Sequence, residues 1–150
     1  MIADELSNPV TDGLDVVVTS VASDSHTWNL VHLQLVLEEL GHRVRNLGAC
    51  VPDDLLVSEC LRQRPDLVAI GTGNGHGLTD GTRVIGRLRS HPELAQVPVV
   101  IGGKLGITDR GTRDRAAALR AAGFDAVFED GNATAEFRAF VRRLRVGVST

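Results

Sequence analysis

Short apolar runs separated by amphipathic stretches are the feature that most limits how this chain can fold. Within Asp66–Ile70 and Val97–Ile101 every residue except Asp66 is apolar, which is typical of strands covered on both faces of a parallel sheet. The charged run Arg43–Leu47 instead suits an edge strand. The full set of predicted strands is Leu14–Val21, Arg43–Leu47, Asp66–Ile70, Val97–Ile101 and Phe124–Phe128.

Helical spacing of apolar residues marks the stretches that follow these strands. The predicted helices are Leu30–Leu40, a helix that opens at Pro52, Asp80–Ser90, Arg113–Ala122 and a closing helix around Phe137–Leu144. Alternating strands and helices predict an α/β domain with a five-stranded parallel sheet between two helical layers. The flavodoxin-like order 2-1-3-4-5 is the simplest, because it places the charged second strand at an edge. We expect residues 1–13 to be a lead-in and residues 14–150 to be this one domain.

The composition argues against several classes of function. A net charge of −3 provides no basic surface for nucleic acid. No apolar run approaches the roughly 20 residues of a membrane span, and no signal peptide precedes the first strand, so we expect a cytoplasmic protein without a membrane partner. Cys50 and Cys60 are then expected to be reduced, and their surroundings lack a zinc-binding pattern.

Three loops should meet at the carboxyl edge of the predicted sheet, where open α/β sheets bind ligands. They are Ser23–Thr27, Gly71–Gly77 and Gly102–Gly106. In the first loop Asp24 can orient His26 and leave one ring nitrogen free as a base or metal ligand. The other two are rich in glycine, which lets a ligand approach the backbone closely. This arrangement predicts a site for a large, flat or elongated ligand, with ordinary turn chemistry as the alternative for the glycines.

The segment Asp24–Asn29 resembles the DxHxxG motif of cobalamin-binding domains, and Gly102-Gly103 resembles their GG motif. The resemblance runs from Leu14 to the final helix and is greatest to the small subunits of glutamate mutase (methylaspartate mutase). It implies adenosylcobalamin as cofactor, His26 as the lower axial ligand of cobalt, and a displaced nucleotide tail lying between the sheet and a helix. The cofactor-binding residues that it implies are Ser23, Asp24, Ser25, His26, Thr27, Gly71, Thr72, Gly73, Gly102, Gly103, Lys104, Leu105 and Gly106.

Two departures from the family pattern affect the start of the first helix and the pocket for the tail. Asn29 stands in place of the glycine of the motif, and Gly71-Thr72-Gly73 replaces a serine-x-leucine sequence. Gly71 cannot supply the hydrogen bond that the family's serine makes to the displaced base. Thr72 keeps a hydroxyl, but in a strand its side chain would point to the opposite face. His32 is expected on the helix surface.

The substrate site is expected on another chain. Arginines that could bind a substrate carboxylate are spread over the predicted helices, and only Arg110 falls near the carboxyl-edge loops. The resemblance implies a large catalytic β/α-barrel subunit, joined in a heterotetramer that acts as an isomerase on L-glutamate and 3-methylaspartate.

Other classes share the predicted fold. A corrinoid methyl carrier of a methyltransferase would use the same site, although such carriers usually have a helical segment that the lead-in is too short to form. A receiver domain would need an aspartate where Ile70-Gly71 ends the third strand. A cofactor-free flavodoxin-like binding module also stays open.

Overall fold

The computed structural model describes residues 13–20, 28–72, 77–103, 112–128 and 133–149. Apart from Gly13, the expected lead-in lies outside these ranges. Within them, five strands and five α-helices alternate, with one 3-10 helix at Pro92–Leu94. The elements are β1 (Asp15–Ser20), α1 (Trp28–Glu39), β2 (Arg43–Asn46), α2 (Asp53–Gln63), β3 (Leu67–Thr72), α3 (Gly77–Arg89), β4 (Val99–Gly103), α4 (Thr112–Ala122), β5 (Ala126–Phe128) and α5 (Ala133–Ser149).

The strands form one parallel sheet in the order β2-β1-β3-β4-β5. This confirms the flavodoxin-like order predicted from the sequence. The charged strand β2 lies at an edge, where Arg43 and Arg45 are exposed and form ion pairs with Asp15 and Glu59 at 2.6 and 3.4 Å. Strand β3 lies at the centre and is buried along its whole length, as expected for a strand that is apolar on both faces.

Strands β3 and β4 continue further than the sequence predicted. The expectation that Gly71 and Thr72 belong to a loop is wrong, because both lie in β3. Gly71 pairs with Ser20 on one side and Gly102 on the other, and Thr72 pairs with Gly103. Glycine usually weakens a strand, but here neighbouring strands hold the backbone on both sides. The two glycine-rich segments therefore begin as paired strands.

The sheet separates two apolar cores, because successive side chains of a strand point to opposite faces. Helices α2, α3 and α4 cover one face, and α1 and α5 cover the other. In α1 the inward positions include Leu30 and Leu37, as their helical spacing predicted. The second core, which borders the candidate site, contains Leu14, Val16, Val18, Leu30, Val36, Leu37, Leu67, Ala69, Val100, Phe128, Phe137 and Val141.

Two further findings concern the helices and the cysteines. No helix in the described ranges is long and apolar enough to span a membrane. Cys50 and Cys60 are both free thiols. Cys50 is exposed, whereas Cys60 is a fully buried residue of α2, and burial raises its pKa to about 12.

Candidate functional site

The predicted carboxyl-edge site is partly described by the structure. Four of its residues, Gly71, Thr72, Gly102 and Gly103, lie side by side at the carboxyl ends of β3 and β4. The other predicted site residues lie outside the described residues. They are Ser23, Asp24, Ser25, His26, Thr27, Gly73, Lys104, Leu105 and Gly106.

A slot opens directly beside the glycines. It lies between the sheet and helices α1 and α5, and its volume is about 240 Å³. An apolar cavity of about 150 Å³ can hold benzene, so this slot has room for a flat bicyclic ring. Its lining residues are His32, Leu33, Val36, Ala69, Ile70, Gly71, Val100, Gly102, Gly103, Phe128, Thr134 and Phe137.

Aromatic rings form the wall of the slot on the β5 side. Phe128 and Phe137 meet edge to face, with ring centroids 5.7 Å apart, and Phe140 contacts Phe128 in the same way at 6.1 Å. Edge-to-face contacts add to the stabilisation that burial provides. Phe128 and Phe137 are buried, so this wall is packed against the core and held in place.

The two glycines of the GG motif are required by the protein's own backbone. A Cβ atom at Gly102 would lie 2.9 Å from the carbonyl oxygen of Phe128. At Gly103 it would lie 1.9 Å from the carbonyl oxygen of Thr72, and the φ angle there is +105°. Left-handed backbone of this kind favours glycine. Glycine at these positions is therefore explained by strand packing without any ligand.

Thr72 follows the strand alternation expected from the sequence. Its side chain is buried and is absent from the slot lining, whereas Gly71 and Ala69 line the slot. A hydroxyl group at position 72 consequently does not replace the one that a serine at position 71 would supply. The wall that β3 gives to the slot thus has no polar side chain.

His32 and Thr134 provide the polar side chains of the slot lining. The Nε2 atom of His32 lies 3.3 Å from Oγ1 of Thr134, which joins α1 to α5. The prediction of His32 at the helix surface is confirmed, since it is exposed, but it also borders the slot. Sequence reasoning did not identify Thr134 at all. The only available signal was the spacing of His32 four residues before the inward-facing Val36.

The described residues contain no group of three or more histidine, cysteine or acidic side chains that could hold a metal ion by themselves. A single axial histidine would not form such a group. The predicted ligand, His26, lies outside the described residues. What the described part offers a cofactor is therefore the slot, whose size and apolar lining fit a flat aromatic group.

Similar structures agree on the fold. One is the 1.5 Å crystal structure of a novel cobalamin-binding protein from Desulfitobacterium hafniense, with a TM-score of 0.73 and 18% identity over 88% of this chain. This chain spans only 59% of that protein. Another is a putative response regulator from Chloroflexus aurantiacus, with a TM-score of 0.68 and 18% identity, covering 89% of this chain and 98% of that one. At such identities the likeness establishes the fold alone.

Sequence comparisons are more specific. A curated relative, the glutamate mutase sigma subunit of Fusobacterium nucleatum, is 24% identical over 116 residues, which are 77% of this chain and 85% of the relative. The model of the B12 binding domain matches residues 14–113, well over half of the chain. This range includes the DxH segment and the GG motif from which the resemblance was drawn. The chain belongs to the B12-binding domain family.

Proposed function

We propose that this chain binds adenosylcobalamin and acts as the cofactor-binding small subunit of a carbon-skeleton mutase. The observation that carries the proposal is the apolar slot beside Gly71 and Gly102, of about 240 Å³, in a chain of the B12-binding domain family. A slot of this size and lining suits the flat base of the cofactor's nucleotide tail. The carboxyl edge above it is where an α/β sheet binds ligands.

The residues of the proposed site have separate roles. His26 would hold the cobalt of the cofactor, and Asp24 would accept a hydrogen bond from its other ring nitrogen, which would fix the tautomer and raise the basicity of the ligand. The remaining residues of Ser23–Thr27 and the Lys104–Gly106 segment would border the corrin ring. Gly71, Gly73 and the GG motif would leave room for the tail. The bound cofactor supplies the radical chemistry through its cobalt–carbon bond.

The catalytic partner is proposed to be a large β/α-barrel subunit that binds the substrate and closes over the corrin. The curated relative is a subunit of glutamate mutase, which favours L-glutamate and 3-methylaspartate as the interconverted pair. The test is an isomerase assay with this chain, adenosylcobalamin and a purified large subunit of a glutamate mutase. Activity should need all three components. Substantial turnover by this chain with the cofactor alone would contradict the division of roles.

Cofactor binding itself can be tested without a partner. The chain is mixed with adenosylcobalamin, desalted and examined by visible absorption, which should show retained corrinoid. For the axial ligand, electron paramagnetic resonance is recorded on the cobalt(II) form with nitrogen-15-labelled histidine. The nitrogen splitting should change on labelling, and His26→Ala should abolish that change. A splitting that ignores the label would contradict ligation by a protein histidine.

The departure at Gly71 gives a test of where the tail lies. Restoring a serine by Gly71→Ser should tighten cobalamin binding or leave it unchanged, because one net hydrogen bond is worth roughly 0.5–1.5 kcal/mol. The affinity is measured by spectral titration. Complete loss of binding would mean that the tail lies so close to β3 that a side chain at position 71 blocks it.

A further inference from the structure

The polar part of the slot, as far as the structure describes its lining, lies in one place. Among the described lining side chains only His32 and Thr134 carry polar atoms, and these two contact each other at 3.3 Å. They come from different helices and are 102 positions apart in the sequence. His32 lies in the second turn of α1 and Thr134 in the first turn of α5. Both turns lie toward the carboxyl edge of the sheet, so the pair stands at the mouth of the slot.

A flat heteroaromatic base that enters this slot must find a partner for its ring nitrogen. The walls formed by Gly71 and Gly102 offer no side chain, and the backbone of both residues lies within the paired strands. The other described lining residues are glycine, aliphatic or aromatic. An unpaired ring nitrogen in such surroundings would weaken binding, because burial removes its hydrogen bonds to water.

We propose that the His32–Thr134 pair recognises the ring nitrogen of the base that occupies the slot. This rests on the proposed binding of a corrinoid with a displaced base. When His32 carries its proton on Nε2, it donates to Oγ1 of Thr134, and the threonine hydroxyl is then free to donate to the ring nitrogen. A hydroxyl that accepts one hydrogen bond becomes a better donor in the next. The pair thereby supplies the polar contact that Gly71 cannot make.

A preference among bases follows from this arrangement. A displaced benzimidazole has one ring nitrogen to satisfy, which matches the single polar pair. Adenine carries two further ring nitrogens and an amino group, and the described lining of the slot has no other polar side chain to pair with them. Each buried group that loses its hydrogen bond weakens binding. The slot therefore selects corrinoids with a benzimidazole base over those with an adenine base.

The test measures dissociation constants of three corrinoids by visible titration. They are cobalamin, the cobamide with adenine as lower base, and cobinamide, which lacks the base. The quantity of interest is the ratio of the cobinamide constant to the cobalamin constant, which isolates the contribution of the tail. Thr134→Val removes the hydroxyl at nearly constant shape, and Thr134→Ser keeps it. Thr82→Val is the matched control, because among the described residues the Thr82 hydroxyl bonds to the carbonyl of Leu78 within α3 and to no other group.

We expect Thr134→Val to lower the ratio by about 2- to 10-fold, the range of one net hydrogen bond. His32→Phe should lower it by a smaller factor, because the Thr134 hydroxyl remains as donor and loses only its own partner. Thr134→Ser and Thr82→Val should leave it near the wild-type value. Wild-type protein should also bind cobalamin more tightly than the adenine cobamide. Circular dichroism identifies any variant that does not fold. The folded variants at positions 32 and 134 then decide whether the pair recognises the base.

The alternative role of the pair is a contact that only holds α1 to α5. In that case Thr134→Val and His32→Phe would lower the melting temperature and leave the ratio of dissociation constants unchanged. An unchanged ratio in folded variants would refute the inference and leave cobalamin binding intact. Failure of the wild type to bind either cobalamin or cobinamide would instead refute the proposed function, so the two failures are distinguishable.

Discussion

Replacing Gly103 by alanine tests whether the GG motif is fixed by the sheet itself. A Cβ atom at this position would lie 1.9 Å from the carbonyl oxygen of Thr72, while close carbon–oxygen contacts between strands are about 3.3 Å. The two strands would have to separate by more than an ångström. Because Thr72 and Gly103 are paired across β3 and β4, that movement disrupts the end of the ladder.

The cost can be divided into two parts. The φ angle of +105° strains any residue with a side chain, and left-handed backbone costs roughly 1–2 kcal/mol. Loss of one buried hydrogen bond at the strand end adds about 1–3 kcal/mol. Gly103→Ala should therefore lower the free energy of unfolding by about 2–5 kcal/mol. For a chain of this size each kcal/mol shifts the melting temperature by about 2–4 °C.

Two other glycines separate these contributions. Gly41 also has a positive φ of +92°, but a Cβ atom there has nothing within 4 Å, so Gly41→Ala should cost only the strain of about 1–2 kcal/mol. Gly86 lies in α3 with open space around it. Gly86→Ala should stabilise the protein by about 0.5–1 kcal/mol, because alanine has the higher helix propensity.

Urea unfolding followed by circular dichroism gives the free energy for each variant. The expected order of stability is Gly86→Ala above wild type, then Gly41→Ala, then Gly103→Ala. If Gly103→Ala costs no more than Gly41→Ala, the close approach of the Thr72 carbonyl is not what requires glycine. Space for a ligand would then be the better explanation of the motif.

Three further predictions concern other parts of the fold. The hydrogen bond from Arg62 is the largest cause of the lowered pKa of Glu59. The stabilisation from the ionised carboxylate is therefore present above the usual glutamate range and is lost as pH falls through the lowered pKa. In urea titrations Glu59→Gln should be less stable than wild type at pH 7, and the difference should shrink as pH falls through that lowered pKa. Iodoacetamide at pH 8 should label the exposed Cys50 and spare Cys60, whose pKa is about 12, and mass spectrometry that finds both labelled in folded protein would contradict this. Arg89 donates to carbonyl oxygens of the loop before β4 and of the turn after α4. Arg89→Ala should therefore lower the free energy of unfolding by about 2–4 kcal/mol. If Arg89→Lys kept the wild-type stability in the same unfolding assay, the planar guanidinium group would not be what these contacts require.

Most of the fold followed from local patterns in the sequence. Strand β3 was placed at the centre because Leu67–Ile70 is apolar at every position, and β2 at an edge because it carries Arg43 and Arg45. Each of these features lies within a single strand and indicates whether that strand is central or at an edge of the sheet. The continuation of β3 through Gly71 could not be predicted in this way, since glycine weakens a strand and the pairing of Gly71 with Ser20 and Gly102 is not visible in the local sequence.

The candidate site was less predictable, for a physical reason. The glycines at the carboxyl edge were identified because strand order brings their loops together. The contact of His32 with Thr134 depends on how α1 and α5 pack across the sheet, and no local pattern encodes a pair 102 positions apart. Neither histidine nor threonine on a helix indicates from the sequence that this part of the helix borders a cavity. Such contacts become visible only when both helices are in place.

The register of the sheet explains why a slot exists at this position. Gly71 pairs with Gly102, and Gly102 pairs with Phe128, so two positions without side chains stand next to a large aromatic residue. On the same face the preceding positions are Ala69 and Val100. Side-chain volume on β3 and β4 thus falls toward the carboxyl edge while Phe128 and Phe137 hold the far wall. Larger side chains elsewhere on this face set the separation between the sheet and helices α1 and α5, so these helices do not close the space above the glycines. The glycines therefore act together: strand packing requires Gly102, and its pairing with Gly71 produces the cavity.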